Sequence, residues 1–536
     1  MGKYGYECEI PVGELLEIAA RRFGDKEALV FGNSRLSFRQ WDEKVNILLV
    51  QLERLGLEKG DRIAIMLPSC AEFPIAAWAA AKLGAITVPM NIMLQPGEVE
   101  YILRDAGAKI LFMLPQFMGR DNVAAVAAMR PNLPELQHVI VLGPPMEGAF
   151  SIFQMLAGEP PAARPTFVRE GLHWSDPAFI FFSGGTTGMP KGVISNSFQY
   201  LYPDAGRWDA MEGKWLNEND ALLMVSPMFM TAGFIMLGTA LGFGMKLVGM
   251  PQFDPRQILQ LIQDEKITYM FSYPTMLRVM MSLPTFDQYD LSSMRAIAIG
   301  GEPVSAELVR TVQKRFGAFS VTGYGMTESR SIAATIFDPP DPPELLEISD
   351  GKPFPEISLK IVDSERKEVP HGEVGEIAVR GRPVIERYWN RPEETALVRD
   401  AEGWFYTGDL GRVVNSEGYI RIVGRAKDTI RHGMQTVYPE EIENALKTYP
   451  KIANAGVIGV PGAFAGERIR AYVQLHPGQT MTAAEVVDHC RSRLAPFKIP
   501  DEVRFVESLP LSPVRRVQRF RLREEAKKEA EQAAQQ

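Results

Sequence analysis

At 536 residues the chain exceeds the length at which a single hydrophobic core keeps growing, so two or more domains are expected. Its 46% hydrophobic and 23% charged residues are the composition of a soluble globular protein. A formal net charge of −8 gives no electrostatic reason for a nucleic-acid partner, since the basic cluster Arg515–Arg523 is only local.

The N-terminal run MGKYGYECEIPVGELLEIAARRFGD carries charges and helical spacing from its start. It offers no apolar signal-peptide region, and Tyr6 stands where a myristoylation motif needs Ser or Thr. PVGELLEIAARRF and FRQWDEKVNILLVQLERLGL predict helices, whereas DRIAIMLP, AITVPMN and AKILFML predict short strands. Such alternation predicts a parallel sheet covered by helices. The Pro- and Gly-rich stretch 143–176 reads as a surface connection, after which alternation resumes over 178–320, with AIAIGG (296–301) a strand entering a glycine turn. The apolar stretch 223–250 is broken by Pro227, Thr231 and several glycines, and reads as buried core rather than a membrane span. From 345 to 423, ISLKIVD, GEIAVRG and GRVVNSEGYIRIVG predict a small β subdomain. A helix (PEEIENALKTY), two strands (ANAGVIGVPG, IRAYVQLHP) and a helix (TAAEVVDHCRSRLA) then predict a compact αβ module of about a hundred residues. The tail EEAKKEAEQAAQQ lacks a buried stripe and reads as a solvated or frayed helix. Cys8, Cys70 and Cys490 are few, far apart and odd in number, which fits a reducing, cytoplasmic setting. The six scattered histidines show no metal-ligand spacing.

Four segments carry candidate chemistry. In FFSGGTTGMPKGV (181–193) an apolar run ends in a loop where Gly184, Gly185 and Gly188 allow close backbone approach to phosphates. Ser183, Thr186 and Thr187 add hydroxyls there, and Lys191 adds a cation. Pro190 before that lysine and Gly192 after it distinguish the run from a Walker loop. A plain Gly- and hydroxyl-rich surface turn would read the same way. TGYGMTES (322–329) offers Tyr324 to stack on a purine, Thr327 for phosphate and Glu328 for Mg²⁺; a loop with an ordinary solvated carboxylate is the alternative. In GWFYTGDLG (403–411), Asp409 in a tight glycine turn suits the paired hydroxyls of a ribose, though Asp is also a common turn former. GRAKDTIRHGMQTVYPEEIE (424–443) places Arg425 and Lys427 where the chain changes domain, as an ordinary charged linker also would.

In this order and spacing the four segments resemble the acyl-adenylate-forming superfamily, which comprises acyl-CoA synthetases, firefly luciferase and the adenylation domains of peptide synthetases. The resemblance extends through LSFRQWDEKVN, GDRIAIMLPS, LGAITVPMN, LSSMRAIAIGGEPVS and RYWNRPEETA, nearly the whole chain. It implies an α/β fold with a large multi-subdomain N-terminal domain, 1–426, of two sheets with flanking helices and a small β subdomain. A small mobile α+β C-terminal domain, 427–536, would be hinged near Lys427. It further implies that Mg-ATP activates a carboxylic acid to an acyl-AMP, which coenzyme A then takes as a thioester. In those terms Ser183, Gly184, Gly185, Thr186, Thr187, Gly188 and Lys191 wrap the β- and γ-phosphates. Gly300, Gly301, Glu302, Pro303, Tyr324 and Gly325 hold adenine, Thr327 the α-phosphate, Glu328 the Mg²⁺, and Asp409, Arg425 and Lys427 the ribose and nearby phosphate. Gly301, Gly325, Met228 and Met230 also border the acid. Dimers are common among such enzymes.

The chain departs from that pattern in three places. The family's C-terminal lysine, which stabilises adenylation, is replaced by Arg516, with Arg515 at the preceding glycine. Arginine keeps the charge, but its planar fork is not equivalent to an ammonium. The histidine of the PxFHxxG motif is Met230, in Pro227–Gly233. His432-Gly433-Met434 stands where many members carry two glycines beside the pantetheine channel. Met224, Met228, Met230, Met236, Met270, Met276, Met280 and Met281 crowd the expected acid region; most read as core, with Met230 facing substrate. No carboxylate in Pro227–Gly233 awaits an amino group, so the expected substrate is an apolar, medium-sized aliphatic, alicyclic or aromatic acid. Two alternatives are loading of the acyl group onto a carrier protein, and an adenylation-impaired nucleotide or acyl-CoA binding protein.

Overall fold

The short β-rich runs and the amphipathic runs between them fold as alternating strands and helices, giving a mixed α/β chain with a large N-terminal region and a small C-terminal domain. The structure, a computed structural model, describes residues 7–159, 161–162, 165–184, 190–210, 216–301, 304, 306–335, 341, 345, 348–425, 430–433, 435–437, 439–462, 466–510, 517 and 519–534. Proximity in space between Cα atoms divides the chain into two compact units. One comprises Met1–Ile92, Ile102–Phe182 and Gly192–Gly424, and the other Met93–Tyr101, Ser183–Lys191 and Arg425–Gln536.

In the larger unit, Tyr269–Ser272, Ala296–Gly300, Phe319–Met326, Ala221–Met224, Lys246–Gly249 and Glu27–Phe31 pair in parallel. Arg330–Ala334, Lys352–Pro353 and Ser34–Ser37 add antiparallel edges, completing a nine-stranded sheet among the described residues. A seven-stranded sheet is built around Arg62–Met66, Ile86–Pro89 and Ala108–Met113. The expected β subdomain is a four-stranded antiparallel sheet: Ile357–Val362, Gly375–Gly381, Phe405–Val413 and Ile420–Arg425.

Helix Phe38–Arg54 starts at a capping box, Ser37 with Gln40, and buries Trp41, Val45, Leu48, Leu49 and Leu52 on one face. Helix Val12–Phe23 buries Val12, Leu15, Leu16 and Ala19 in the same core. The stretch 223–250 is core: helix Thr231–Phe243 is buried from Gly233 to Phe243. No helix among the described residues is long and apolar enough to cross a membrane.

The structure differs from expectation at two connections. Within 143–176, Phe150–Ser151 joins the edge of the seven-stranded sheet and Ile152–Leu156 is a short helix, its N–H at Gln154 capped by Ser151 Oγ at 3.4 Å. The flanking prolines and glycines hid this turn of helix, whose Ile152 is fully buried. At the C-terminus, helix Arg519–Ala534 is anchored rather than free. Leu522 and Ala526, one turn apart, pack with Ile458, Val460, Tyr472 and Leu509, and Arg519 pairs with buried Glu443 at 2.9 Å. Two apolar residues are too few to register as a stripe, yet they suffice with an ion pair. Leu522→Ala is expected to cost about 2–4 kcal/mol locally. The readout is faster backbone hydrogen exchange across Arg519–Ala534 in the full-length protein.

Candidate active site

Strands Ala296–Gly300 and Phe319–Met326 run parallel, with Ile299 beside Thr322 and Gly300 beside Gly323. The glycine turn after the first and the TGYGMTES segment on the second therefore lie together at the carboxyl ends of the sheet, where open α/β sheets bind ligands. Gly301 adopts φ +78°, and a Cβ there would lie 2.6 Å from the Tyr273 ring. Gly325 faces the Arg330–Ala334 strand so closely that a Cβ would lie 1.9 Å from the Arg330 carbonyl oxygen. Both glycines are thus required by the backbone whatever ligand approaches them.

The second and third sequence segments converge. The Tyr324 hydroxyl donates to Asp409 Oδ2 at 2.8 Å, across 85 positions of sequence. Asp409 is 4% exposed. It lies inside strand Phe405–Val413 rather than in the expected tight turn; Gly408, at φ +73°, makes an irregularity in the pairing with Gly375–Gly381. The Asp409 N–H donates to Thr407 Oγ1 (3.1 Å) and the Gly408 N–H to Glu376 Oε1 (2.9 Å), which fixes the carboxylate's direction. A buried carboxylate with further lone pairs beside a phenol suits a vicinal diol.

Thr327 and Glu328 follow on the same segment. Thr327 Oγ1 lies 3.3 Å from Thr231 Oγ1, in the first turn of helix Thr231–Phe243. Met230 is that helix's N-cap residue and is half-buried, so the segment expected at phosphate and the residue expected at the acid meet here. Met228 is fully buried and its N–H donates to Ser69 Oγ at 3.1 Å, so its side chain is core packing. Met224, Met236, Met270, Met276 and Met280 are buried likewise, while Met281 is partly exposed. Glu328 is 8% exposed; its Oε1 accepts from the Tyr388 hydroxyl at 3.1 Å and its carbonyl from the Ile385 N–H at 2.8 Å.

Ser183 and Gly184 end strand Pro177–Gly184, and Lys191 is the second residue of strand Pro190–Asn196. Gly185, Thr186, Thr187, Gly188, Glu302, Pro303, Lys427, Met434, Arg515 and Arg516 lie outside the described residues, as does the side chain of Arg425 at the end of Ile420–Arg425. In the smaller unit, His432 Nδ1 lies 2.8 Å from the Phe497 carbonyl and Nε2 lies 3.4 Å from Asp501, so its ring is held from both sides. Among the described residues no group of three or more His, Cys, Asp or Glu gathers to hold a metal.

Sequence reasoning missed Thr231, Tyr273, Tyr388 and, above all, Arg330. Arg330 is 3% exposed at φ +58°. Its Nη1 donates to the Thr327 carbonyl, and its guanidinium carbon lies 5.2 Å from the centroid of the Phe181 ring. Burial pulls its pKa down to about 10, against the opposing fields of Glu328 and Tyr200. The signal was present as a cation opening the otherwise small and apolar run SIAAT.

Comparison with known proteins shows the family. The family model "AMP-binding enzyme" matches residues 16–389, and "AMP-binding enzyme C-terminal domain" matches 441–515. The chain is 32% identical to the mitochondrial medium-chain acyl-CoA ligase of Mus musculus, covering 96% of this chain and 87% of that protein. It is 34% identical to the 3-[(3aS,4S,7aS)-7a-methyl-1,5-dioxo-octahydro-1H-inden-4-yl]propanoyl:CoA ligase of Rhodococcus jostii (strain RHA1), over 96% and 98%. Among solved structures, the amide bond synthetase McbA from Marinactinospora thermotolerans superposes with a TM-score of 0.84 at 26% identity, covering 95% of this chain and 99% of that one. Matched along both its large and its small domain, the chain belongs to the AMP-binding enzymes, the acyl-adenylate-forming superfamily, as an AMP-dependent acyl-CoA synthetase.

Proposed function

We propose that the chain joins an apolar, medium-sized carboxylic acid to coenzyme A in two half-reactions, through an acyl-AMP. The observation that carries the reading is the Tyr324–Asp409 contact, with Thr327 and Glu328 following on the same strand end. Asp409 receives the ribose hydroxyls, and Tyr324 lies along adenine with Gly301, Glu302 and Pro303. Thr327 donates to the α-phosphate, Ser183 to Lys191 enclose the β- and γ-phosphates, and Arg425 and Lys427 serve the nucleotide from the domain junction. A carboxylate oxygen of the acid attacks the α-phosphorus and the bond to pyrophosphate breaks. The CoA sulfur then attacks the acyl carbon, AMP leaves, and the thiol proton passes to solvent. Because most of the work is charge stabilisation, the residues act by position rather than by covalent chemistry. Magnesium takes most of its ligands from phosphates and water, so a single buried carboxylate fits it; Glu328, oriented by Tyr388, would hold the ion beside Thr327, and the ion would supply neutralisation of phosphate charge.

The relatives' names support a medium-sized carbon skeleton and CoA as acceptor, while the amide-forming neighbour makes the acceptor a point for experiment. We place the hinge near Lys427, with 1–426 and 427–536 as the moving parts. A cytoplasmic setting is supported by the cysteines, three in number, far apart in sequence and all free.

The reading assigns Arg516 to the lysine's role in adenylation. Arg516→Ala is then expected to slow acid-dependent pyrophosphate release by about 10²-fold or more, the typical cost of removing one charge stabiliser. Conversion of supplied acyl-AMP to acyl-CoA should change far less, and Arg516→Lys should restore release. Equal loss in both half-reactions, or none in either, would remove Arg516 from that role.

A further inference from the structure

We propose that Glu98, Lys498 and Glu441 are positioning residues for ATP: seated together, they hold helix Pro96–Ala106 so that its Tyr101 fixes the peptide before Lys191. This rests on the ligase reading, which assigns Lys191 to the phosphates, and adds what sets that lysine's place.

The residues meet within the smaller compact unit, which gathers 93–101, 183–191 and 425–536. Lys498 Nζ donates to Glu98 Oε1 at 2.6 Å and to Glu441 Oε1 at 2.5 Å; the three side chains are 8%, 11% and 10% exposed. Glu98 is also fixed through its other oxygen, since Oε2 accepts from the Gln95 N–H at 2.9 Å at the start of the helix. Three residues on, and so on the same helix face, the Tyr101 hydroxyl donates to the Pro190 carbonyl at 3.1 Å. That carbonyl belongs to the peptide joining Pro190 to Lys191, at the start of an edge strand of the seven-stranded sheet. A second path leaves the cluster toward the hinge: the Phe497 carbonyl, one residue before Lys498, faces His432 Nδ1 at 2.8 Å. One helix face thus carries both the anchor of the C-terminal module and the bond to the backbone of Lys191.

Stability alone does not account for the cluster. Two carboxylates on one ammonium leave an excess negative charge in a buried place, where well-packed apolar side chains would hold the parts together as well or better. What a buried ion cluster adds is one fixed arrangement of its partners, because displacing any member strands a charge. Hydrogen bonds joined by a rigid helix can carry that arrangement to Lys191. The cluster is also sensitive to protons. Glu441 faces Lys498 on the turn Pro496–Lys498 and Glu98 on helix Pro96–Ala106; burial pushes it up to about 7, with Lys498 opposing and Glu98 adding to the rise. Seated Glu441 therefore keeps a proton that a released Glu441 gives up above its ordinary 4.5. Seating weakens as pH rises from there toward about 7 and is level beyond.

The test measures acid-dependent pyrophosphate release by full-length wild type, Tyr101→Phe, Lys498→Met, the double variant of these two, and Glu441→Gln. Tyr101→Phe and Lys498→Met are each expected to raise KM for ATP about three- to tenfold, the worth of one hydrogen bond, with KM for the acid within about twofold of wild type. The double variant should rise no further than the larger single, because both act on one peptide. Should Lys498→Met lose its fold by circular dichroism, Glu98→Gln takes its place in the cycle. Glu441→Gln keeps a neutral donor at every pH. Its KM for ATP should match wild type near about pH 5.5 and fall below it by about threefold or more near about pH 8, the ratio removing the titration of ATP itself. Singles that multiply in the double variant, equal rises of KM for ATP and acid, or a Glu441→Gln ratio that is constant with pH would each overturn the proposal. If wild type releases pyrophosphate with no acid, the ligase reading fails by itself. Calorimetric binding of Mg-ATP then decides: weakening in both singles with none added in the double supports the coupling, and unchanged binding overturns it.

Discussion

Asp409→Ala is expected to lower kcat/KM for ATP by about 10²- to 10³-fold. The carboxylate is buried inside a strand, its direction fixed by Thr407, Gly408 and the hydroxyl of Tyr324. Two charge-assisted hydrogen bonds to a ribose diol are worth about 1.5–3 kcal/mol each. Losing both, with partial replacement by water, leaves about 3–4 kcal/mol, and each 1.36 kcal/mol is a factor of ten. Tyr324→Phe separates the two partners: it keeps the ring for stacking and deletes one donor, so it should cost about tenfold or less. Steady-state kinetics in ATP, with circular dichroism to show that the fold is intact, check both. A loss confined to the acid's KM would place Asp409 on the wrong substrate.

The second large effect is on stability. Lys82 is fully buried, and its Nζ contacts Glu17 Oε1 at 3.0 Å, Asp42 Oδ1 at 2.7 Å and Asn46 Oδ1 at 2.7 Å. One ammonium thereby ties helices Val12–Phe23, Phe38–Arg54 and Glu72–Leu83 together. Glu17 also accepts from the Thr166 hydroxyl and the Phe167 N–H, both at 2.8 Å, which pins the connection after residue 143. Lys82→Met removes the buried cation from both carboxylates, leaving Glu17 only the exposed Arg21 at 3.6 Å, and is expected to cost about 3–5 kcal/mol. Trp41 and Trp78, with ring centroids 5.6 Å apart in the same core, report the unfolding by fluorescence.

The pH dependence follows from Glu17. Burial raises its pKa, but Lys82 and the hydrogen bonds from Phe167 and Thr166 outweigh burial and hold it below its ordinary value of 4.5. Its contribution is therefore complete above that value and fades as pH falls through the lowered one. The gap between wild type and Lys82→Met should narrow on acidification. A gap that widens would mean that the triad does not hold Glu17 ionised.

Much of this architecture was legible because local periodicity encodes it. Leu15, Leu16 and Ala19, or Val45, Leu48, Leu49 and Leu52, announce a buried helix face, and the apolar runs at 62–66 and 108–113 announce strands buried on both sides. The pairing of Tyr324 with Asp409 was not readable from spacing, since nothing local links positions 85 apart; only the resemblance placed them in one site. Asp409 was expected in a turn because Gly403, Gly408 and Gly411 flank it, whereas in a sheet a glycine also serves as a bulge. Met228 and Met230 look alike in sequence; burial separates them, since one lies in the core and the other caps a helix. Arg330 escaped notice because a cation in a strand normally reads as solvent-facing, and only the fold shows that both sides of Arg330–Ala334 are covered.

The most direct measurement is pyrophosphate release from Mg-ATP across a panel of medium-sized acids, each with and without CoA, with thioester and AMP followed by mass spectrometry. The account predicts acid-dependent release, acyl-AMP when CoA is withheld, and acyl-CoA with stoichiometric AMP when it is supplied. Pyrophosphate release and acyl-AMP that pass to an amine but never to CoA, or no release with any acid while AMP still binds, would contradict it.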